Sequence, residues 1–325
     1  MRLFDKGGNS PLSDINPFLY ASKQPDFDLR LVKQNKHWRR YQVSFPVIAT
    51  GYFPGGKIAR GEYYEPVTKE KAPLAILIHG WGDHSVIPFK LMVDGLVRRG
   101  TACFVLYLPF HNARLSKELV FKLSHLTPDE WFAGYQIAVT DVRQIIDWAG
   151  QNGKTDMSLI TVIGLSLGAF VGSMTMGVDT RIKAGVFVVH GGNTGKIMQT
   201  NSVARFGRKY RTSEAEYQQN QDRYAEYLHA VAENGFENVT PAQRTYLIDP
   251  LTYAPILKGR PVIMFNARWD EIIPRQASLE FQHACGECEM ITFPASHASI
   301  WVWYPLIVSR INRFLANMTQ DRDFS

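Results

Sequence analysis

Ser166 sits between two glycines in Gly164-Leu165-Ser166-Leu167-Gly168, directly after the apolar, β-branched run of residues 158–163. A serine hydroxyl is a poor nucleophile at neutral pH until a base takes its proton, and it must project from the backbone to reach a carbonyl carbon. A strand that turns sharply into a helix gives that projection. Gly164 and Gly168 remove β-carbons that would collide in so tight a turn, and a helix opening at Leu167 directs free N–H groups and partial positive charge at the hydroxyl. With 25 glycines in 325 residues, the pattern Gly-x-Ser-x-Gly arises by chance about 0.1 times in this composition. The motif therefore needs partners before it carries chemistry.

An activated serine requires a histidine base held by a carboxylate. Residues 261–266, Pro-Val-Ile-Met-Phe-Asn, read as a buried strand, and Asp270 follows just beyond its end. A helical stretch over 275–284, a short strand over 289–293 and then Pro294-Ala295-Ser296-His297 place His297 in the next loop. Asp270 is the expected acid and His297 the expected base. Glu271 neighbours Asp270 but points the other way on an extended segment, so only one of the two faces the histidine. Upstream, the apolar strand 74–78 runs into His79-Gly80-Trp81-Gly82, where the backbone N–H of Trp81 pairs with that of Leu167 as an expected oxyanion hole.

With His79-Gly80, the Gly164–Gly168 turn, Asp270 and His297 in this order, the chain resembles the α/β-hydrolase family over residues 40–190 and 250–317. The resemblance implies a mostly parallel central sheet with helices on both faces, and acyl hydrolysis by a Ser-His-Asp triad. Carboxylic esters are the expected substrates. A thioesterase, peptidase or acyltransferase would share the machinery, and a ligand-binding protein would share the fold.

The remaining candidates are weaker. His190 closes the strand near 184–189 and is expected on the rim of the site, with Trp269 beside the acid. Asp83, His84 and His111 read as solvated loop residues near the entrance. Cys285-Gly286-Glu287-Cys288 has metal or redox spacing, but a structural zinc needs four ligands and the third cysteine, Cys103, lies in a distant apolar strand. No metal or cofactor is expected.

Alternating strands and helices must position these groups. Strands are expected near 41–50, 55–64, 74–78 and 102–108, and helices over 86–99 and 128–151. About 70 residues then separate the strand ending near His190 from the one starting at Pro261, far more than an ordinary connection. Residues 193–250 are expected to form a helical cap, with a helix over 214–233 presenting Tyr217, Tyr224 and Leu228 toward substrate. Residues 1–40 read as a polar N-terminal arm, and 41–192 with 251–325 as the core.

Composition limits the alternatives. The net charge of +6 is mild, and its lysines and arginines are scattered apart from 33–40 and 205–211, which argues against a nucleic-acid surface. No run of eighteen apolar residues would span a membrane, and residues 1–20 lack the continuous apolar stretch of a signal peptide. Three cysteines, an odd number, fit a reducing cytoplasm.

Overall fold

The computed structural model describes residues 15–21, 26–49, 57–67, 70–82, 86–115, 126–200 and 212–320. Its centre is a nine-stranded sheet in the order β1-β2-β3-β5-β4-β6-β7-β8-β9. β1 (Asp28–Gln34), β2 (Trp38–Pro46) and β3 (Ile58–Pro66) are antiparallel, and β3 joins β5 (Ala102–Tyr107) antiparallel as well. From β5 onward the pairing is parallel through β4 (Ala72–Ile78), β6 (Thr155–Leu165), β7 (Ile182–Val188), β8 (Val262–Ala267) and β9 (Glu289–Phe293). This is the α/β-hydrolase architecture.

Both faces of the central parallel strands are covered, so their inner stretches, such as residues 74–78, 102–106 and 262–265, are continuous apolar runs rather than alternating ones. In β4, Leu74, Ile76 and Ile78 face one helical layer, and Ala75 and Leu77 face the other. α1 (Ile87–Val97) and α6 (Tyr304–Gln320) cover the second face, while α2 (Pro128–Gln151), α3 (Leu167–Val178), α4 (Glu214–Asn234) and α5 (Arg275–Ala284) lie on the first. α2 begins as its sequence dictates. Thr127 and Glu130 form a reciprocal capping box and Pro128 occupies the first turn, where its missing N–H is harmless. A fully buried ion pair, Arg114 to Asp141 at 2.6 Å, ties the segment after β5 to the middle of α2. Burial raises the Asp141 carboxyl, and the guanidinium opposes that shift.

Two segments differ from expectation. The polar arm contains β1 and the start of β2, because Leu29 packs against the core from an otherwise polar edge strand. Phe18, also in the arm, is fully buried, and its carbonyl accepts a 2.6 Å bond from Arg143 of α2. In the 193–250 insertion, Tyr224, Tyr227, Val231, Phe236 and Tyr246 are buried in the same core as α2 and α3. Its described part is thus seated on the core rather than standing apart from it.

Candidate active site

β6 ends at Leu165 and α3 starts at Leu167, so Ser166 is the whole connection. Its φ of 50° and ψ of −116° lie outside the ordinary regions for a residue with a side chain. Such a conformation costs roughly 1–3 kcal/mol and persists only where its surroundings enforce it. Here the Ser166 N–H donates to the Val188 carbonyl at 2.9 Å, and its carbonyl accepts from Ala169 at 2.8 Å. The flanking glycines are sterically required. A β-carbon on Gly164 would stand 2.4 Å from the Ala169 Cα, and one on Gly168 would stand 1.9 Å from the Ile78 carbonyl oxygen.

Three side chains meet at this turn. His297 Nε2 lies 3.0 Å from Ser166 Oγ, and His297 Nδ1 lies 2.9 and 2.8 Å from the two oxygens of Asp270. A carboxylate only accepts, so Nδ1 carries the proton and Nε2 is free to receive one from the serine hydroxyl. Side-chain exposure is 13% for His297 and 6% for Asp270, so the pair is shielded while its outer edge remains reachable. Asp270 Oδ1 also accepts the N–H groups of Ile272 and Ile273, which fixes the carboxylate. The acid and base loops continue the β8–β9 pairing: Arg268 N–H donates to Phe293 and Trp269 N–H to Ala295. Glu271 does not face the imidazole ring. Its carboxylate accepts the backbone N–H of His297 at 3.0 Å, a positioning contact that residue spacing alone does not signal.

Opposite this pair, the end of β4 touches the turn. A β-carbon on Gly80 would come within 3.3 Å of the Ser166 Cβ. The backbone N–H groups of Trp81 and Leu167 have no acceptor among the described residues. His79 anchors the loop, with Nδ1 donating to the Gly80 carbonyl at 2.7 Å and Nε2 accepting from Leu108 at 3.0 Å. Burial pushes its imidazole down to about 3, so it stays neutral.

The other sequence candidates fall in different places. His190 is not on the rim: it is fully buried, its ring lying 5.3, 5.0 and 4.3 Å from those of Phe170, Phe187 and Phe281. Neither ring nitrogen has a partner among the described residues, and burial pushes the imidazole down to about 3. The side chain turns inward because Asn266 takes the His190 N–H and carbonyl, and Ser278 takes that carbonyl too. Tyr224 does not face substrate either. Its ring packs 4.6 Å from Tyr246 and its hydroxyl lies 3.3 Å from that of Thr252, so it seats the insertion. Tyr217 is half-buried near the Glu280 carboxylate, and burial with that charge raises its hydroxyl. Trp269 is 61% exposed beside the acid. His111 stacks on Tyr107 at 4.5 Å, while Asp83 and His84 lie outside the described residues.

Cys285 and Cys288 are joined as a disulfide. Among the described residues, no three His, Cys, Asp or Glu side chains converge as metal ligands would. No helix of the described residues is long and apolar enough to cross a membrane.

Known proteins share this fold. The family model described as "Alpha/beta hydrolase domain containing 18" matches residues 44–247, more than half of the chain. The acetyl xylan esterase of Paenibacillus sp. R4 superposes with a TM-score of 0.64 at 15% identity, over 94% of this chain and 98% of that one. Acetyl xylan esterase 1 of Thermoanaerobacterium sp. JW/SL YS485 gives 0.60 at 14% identity, over 94% and 90%. A cold-adapted esterase from an Arctic intertidal metagenomic library gives 0.56 at 18%, over 86% and 96%. No protein with a curated description matches the chain in sequence.

Proposed function

The chain belongs to the alpha/beta hydrolase domain containing 18 family, and we propose that it is a serine hydrolase that cleaves carboxylic esters through an acyl-enzyme. One observation carries the reading. His297 bridges the Ser166 hydroxyl and the Asp270 carboxylate at 3.0 and 2.8 Å, across 131 residues of chain on one side and 27 on the other.

In this mechanism Ser166 Oγ forms a bond to the ester carbonyl carbon as its proton passes to His297 Nε2. The carbonyl oxygen takes up negative charge between the Trp81 and Leu167 N–H groups, each such donor contributing on the order of 10²–10³ in rate. Collapse of the intermediate breaks the bond to the alcohol oxygen, which takes the proton from His297. Water then attacks the acyl carbon and gives one proton to the same nitrogen; the bond to Ser166 Oγ breaks as Oγ takes that proton from His297, and the carboxylic acid leaves with the water's oxygen and other hydrogen. Asp270 holds the imidazole in this tautomer and stabilises the imidazolium. Trp269 borders the leaving-group side. The described part of the 193–250 insertion is anchored on α2, where Arg244 lies 3.9 Å over the Phe132 ring.

The test is labelling with a fluorophosphonate probe together with turnover of p-nitrophenyl acetate. Wild type should label at Ser166 and hydrolyse the ester. Ser166→Ala should do neither while keeping its melting temperature, a loss on the order of 10⁶-fold. An alanine variant that retains turnover removes Ser166 from the role of nucleophile.

A further inference from the structure

Three aromatic side chains stand together on one side of the candidate nucleophile. The Trp81 ring lies 5.7 Å from Phe110 and 5.3 Å from Trp131, and Phe110 lies 5.1 Å from Trp131, so each ring touches the other two. Their interplanar angles of 32–39° make a shallow trough rather than a flat stack. Phe110 rests directly on the α2 backbone, because a β-carbon on Gly134 would sit 2.3 Å from its Cζ. Phe110 is therefore buried and Trp131 half-buried, while Trp81 leaves 42% of its surface exposed. An exposed indole on the residue whose own N–H faces the candidate oxyanion position puts apolar surface within one residue of the reacting carbonyl. Exposed aromatic surface of this kind gains free energy only when something apolar covers it.

Strand order decides which part of an ester meets the trough. β4, which leads to Trp81, lies on one side of β6 and Ser166, with β5 leading to Phe110 beyond it. β7, β8 and β9, the last two leading to Asp270 and His297, lie on the other. The departing alcohol oxygen must take its proton from His297 Nε2, so the alcohol leaves on the β8–β9 side. The acyl substituent on the same tetrahedral carbon must then extend the opposite way, toward Trp81.

We propose that Trp81, Phe110 and Trp131 form the acyl-binding wall of this hydrolase and select esters with an extended apolar acyl group. The assignment rests on the serine-hydrolase reading above. A sugar ring is a poorer fit for these three rings, since its hydroxyls need polar partners around an aromatic platform and the rings themselves carry only two indole N–H groups. Trp131 is a specificity residue that touches only the chain of the substrate, away from the reacting atoms.

The experiment measures kcat/KM for p-nitrophenyl acetate, butyrate, hexanoate and octanoate with wild type, Trp131→Ala and Trp131→Phe. Each covered methylene should raise wild-type kcat/KM by up to about fourfold, the equivalent of about 0.8 kcal/mol. Trp131→Ala should lower octanoate hydrolysis by about tenfold or more and leave acetate within about twofold, while Trp131→Phe keeps most of the chain-length preference. Phenyl and naphthyl acetates, which vary only the alcohol, should respond to Trp131→Ala equally. An unchanged octanoate-to-acetate ratio in Trp131→Ala overturns the assignment, as does a change confined to the alcohol series. A wild type that labels at Ser166 and cleaves acetate but shows no chain-length preference sinks the wall alone. Absence of both labelling and acetate turnover sinks the hydrolase reading and the wall with it.

Discussion

Asp270→Asn probes the acid at the level of single hydrogen bonds. Oδ1 of Asp270 accepts the Ile272 N–H at 2.9 Å and the Ile273 N–H at 2.7 Å, and both carboxylate oxygens lie against His297 Nδ1. Only an oxygen satisfies two backbone donors, so asparagine keeps its carbonyl at the Oδ1 position and turns its NH₂ toward Nδ1. A donor there favours the imidazole tautomer with a bare Nδ1 and a protonated Nε2, which cannot accept the Ser166 proton. The same exchange in a well-studied triad lowers kcat about 10⁴-fold, or about 5.5 kcal/mol. Because Oδ1 itself lies 2.9 Å from Nδ1, some of the productive tautomer persists. The expected loss is thus roughly 10³–10⁴-fold in kcat on p-nitrophenyl acetate at pH 7, with KM nearly unchanged. Glu271→Gln is the control. Glutamine still presents a carbonyl to the His297 N–H, which lies 3.0 Å from the Glu271 carboxylate, so kcat should stay within about threefold. A folded Asp270→Asn protein keeping more than about a tenth of wild-type kcat, or a larger loss in Glu271→Gln, would refute the tautomer argument.

Two further outcomes are expected from the packing. Gly168→Ala forces a β-carbon to within 1.9 Å of the Ile78 carbonyl oxygen, so the turn and β4 must separate by more than an ångström. Such a displacement at a reacting centre costs on the order of 10²-fold, and fluorophosphonate labelling should slow by about that much; an unchanged rate contradicts the steric account. His190→Phe replaces an imidazole held neutral, down to about 3, by burial. An unfolded imidazole takes up a proton below about 6.5 while the folded one refuses it, so His190 drains stability as pH falls from about 6.5 toward 3, at up to about 1.4 kcal/mol per pH unit. His79 adds the same trend. Urea unfolding of His190→Phe between pH 7 and pH 4.5 should show a shallower acid limb than wild type, and superimposable limbs would count against the buried neutral imidazole.

The parts of this molecule written in local pattern are legible in its sequence. The helices at Pro128–Gln151 and Arg275–Ala284 and the strand at Glu289–Phe293 have the bounds that periodicity and caps indicate. The serine turn announces itself because its glycines are sterically obligatory, and the carboxylate and histidine follow strand ends in sequence order. What escapes is set by distance along the chain. His190 reads as a rim residue because nothing nearby says that Phe281, 91 positions later, will close over it. Tyr224 and Tyr217 look equivalent on one helix, yet only Tyr224 meets Tyr246 and Thr252. β1 hides because an edge strand with one apolar contact face resembles a polar arm.

The distance between the serine and its base has a temporal meaning. Ser166 and His297 are 131 residues apart, and the insertion lies between them. At translation rates of 5–20 residues per second, the serine emerges roughly 7–26 s before the histidine. β7 is synthesised early in that interval, whereas β8 and β9, whose loops hold Asp270 and His297, are synthesised only in roughly its last quarter. A ribosome-bound chain therefore exposes a serine with no base to deprotonate it. On the proposed mechanism, docking of the last two parallel strands is the event that arms Ser166, and reactivity toward acyl groups is withheld until the sheet is complete.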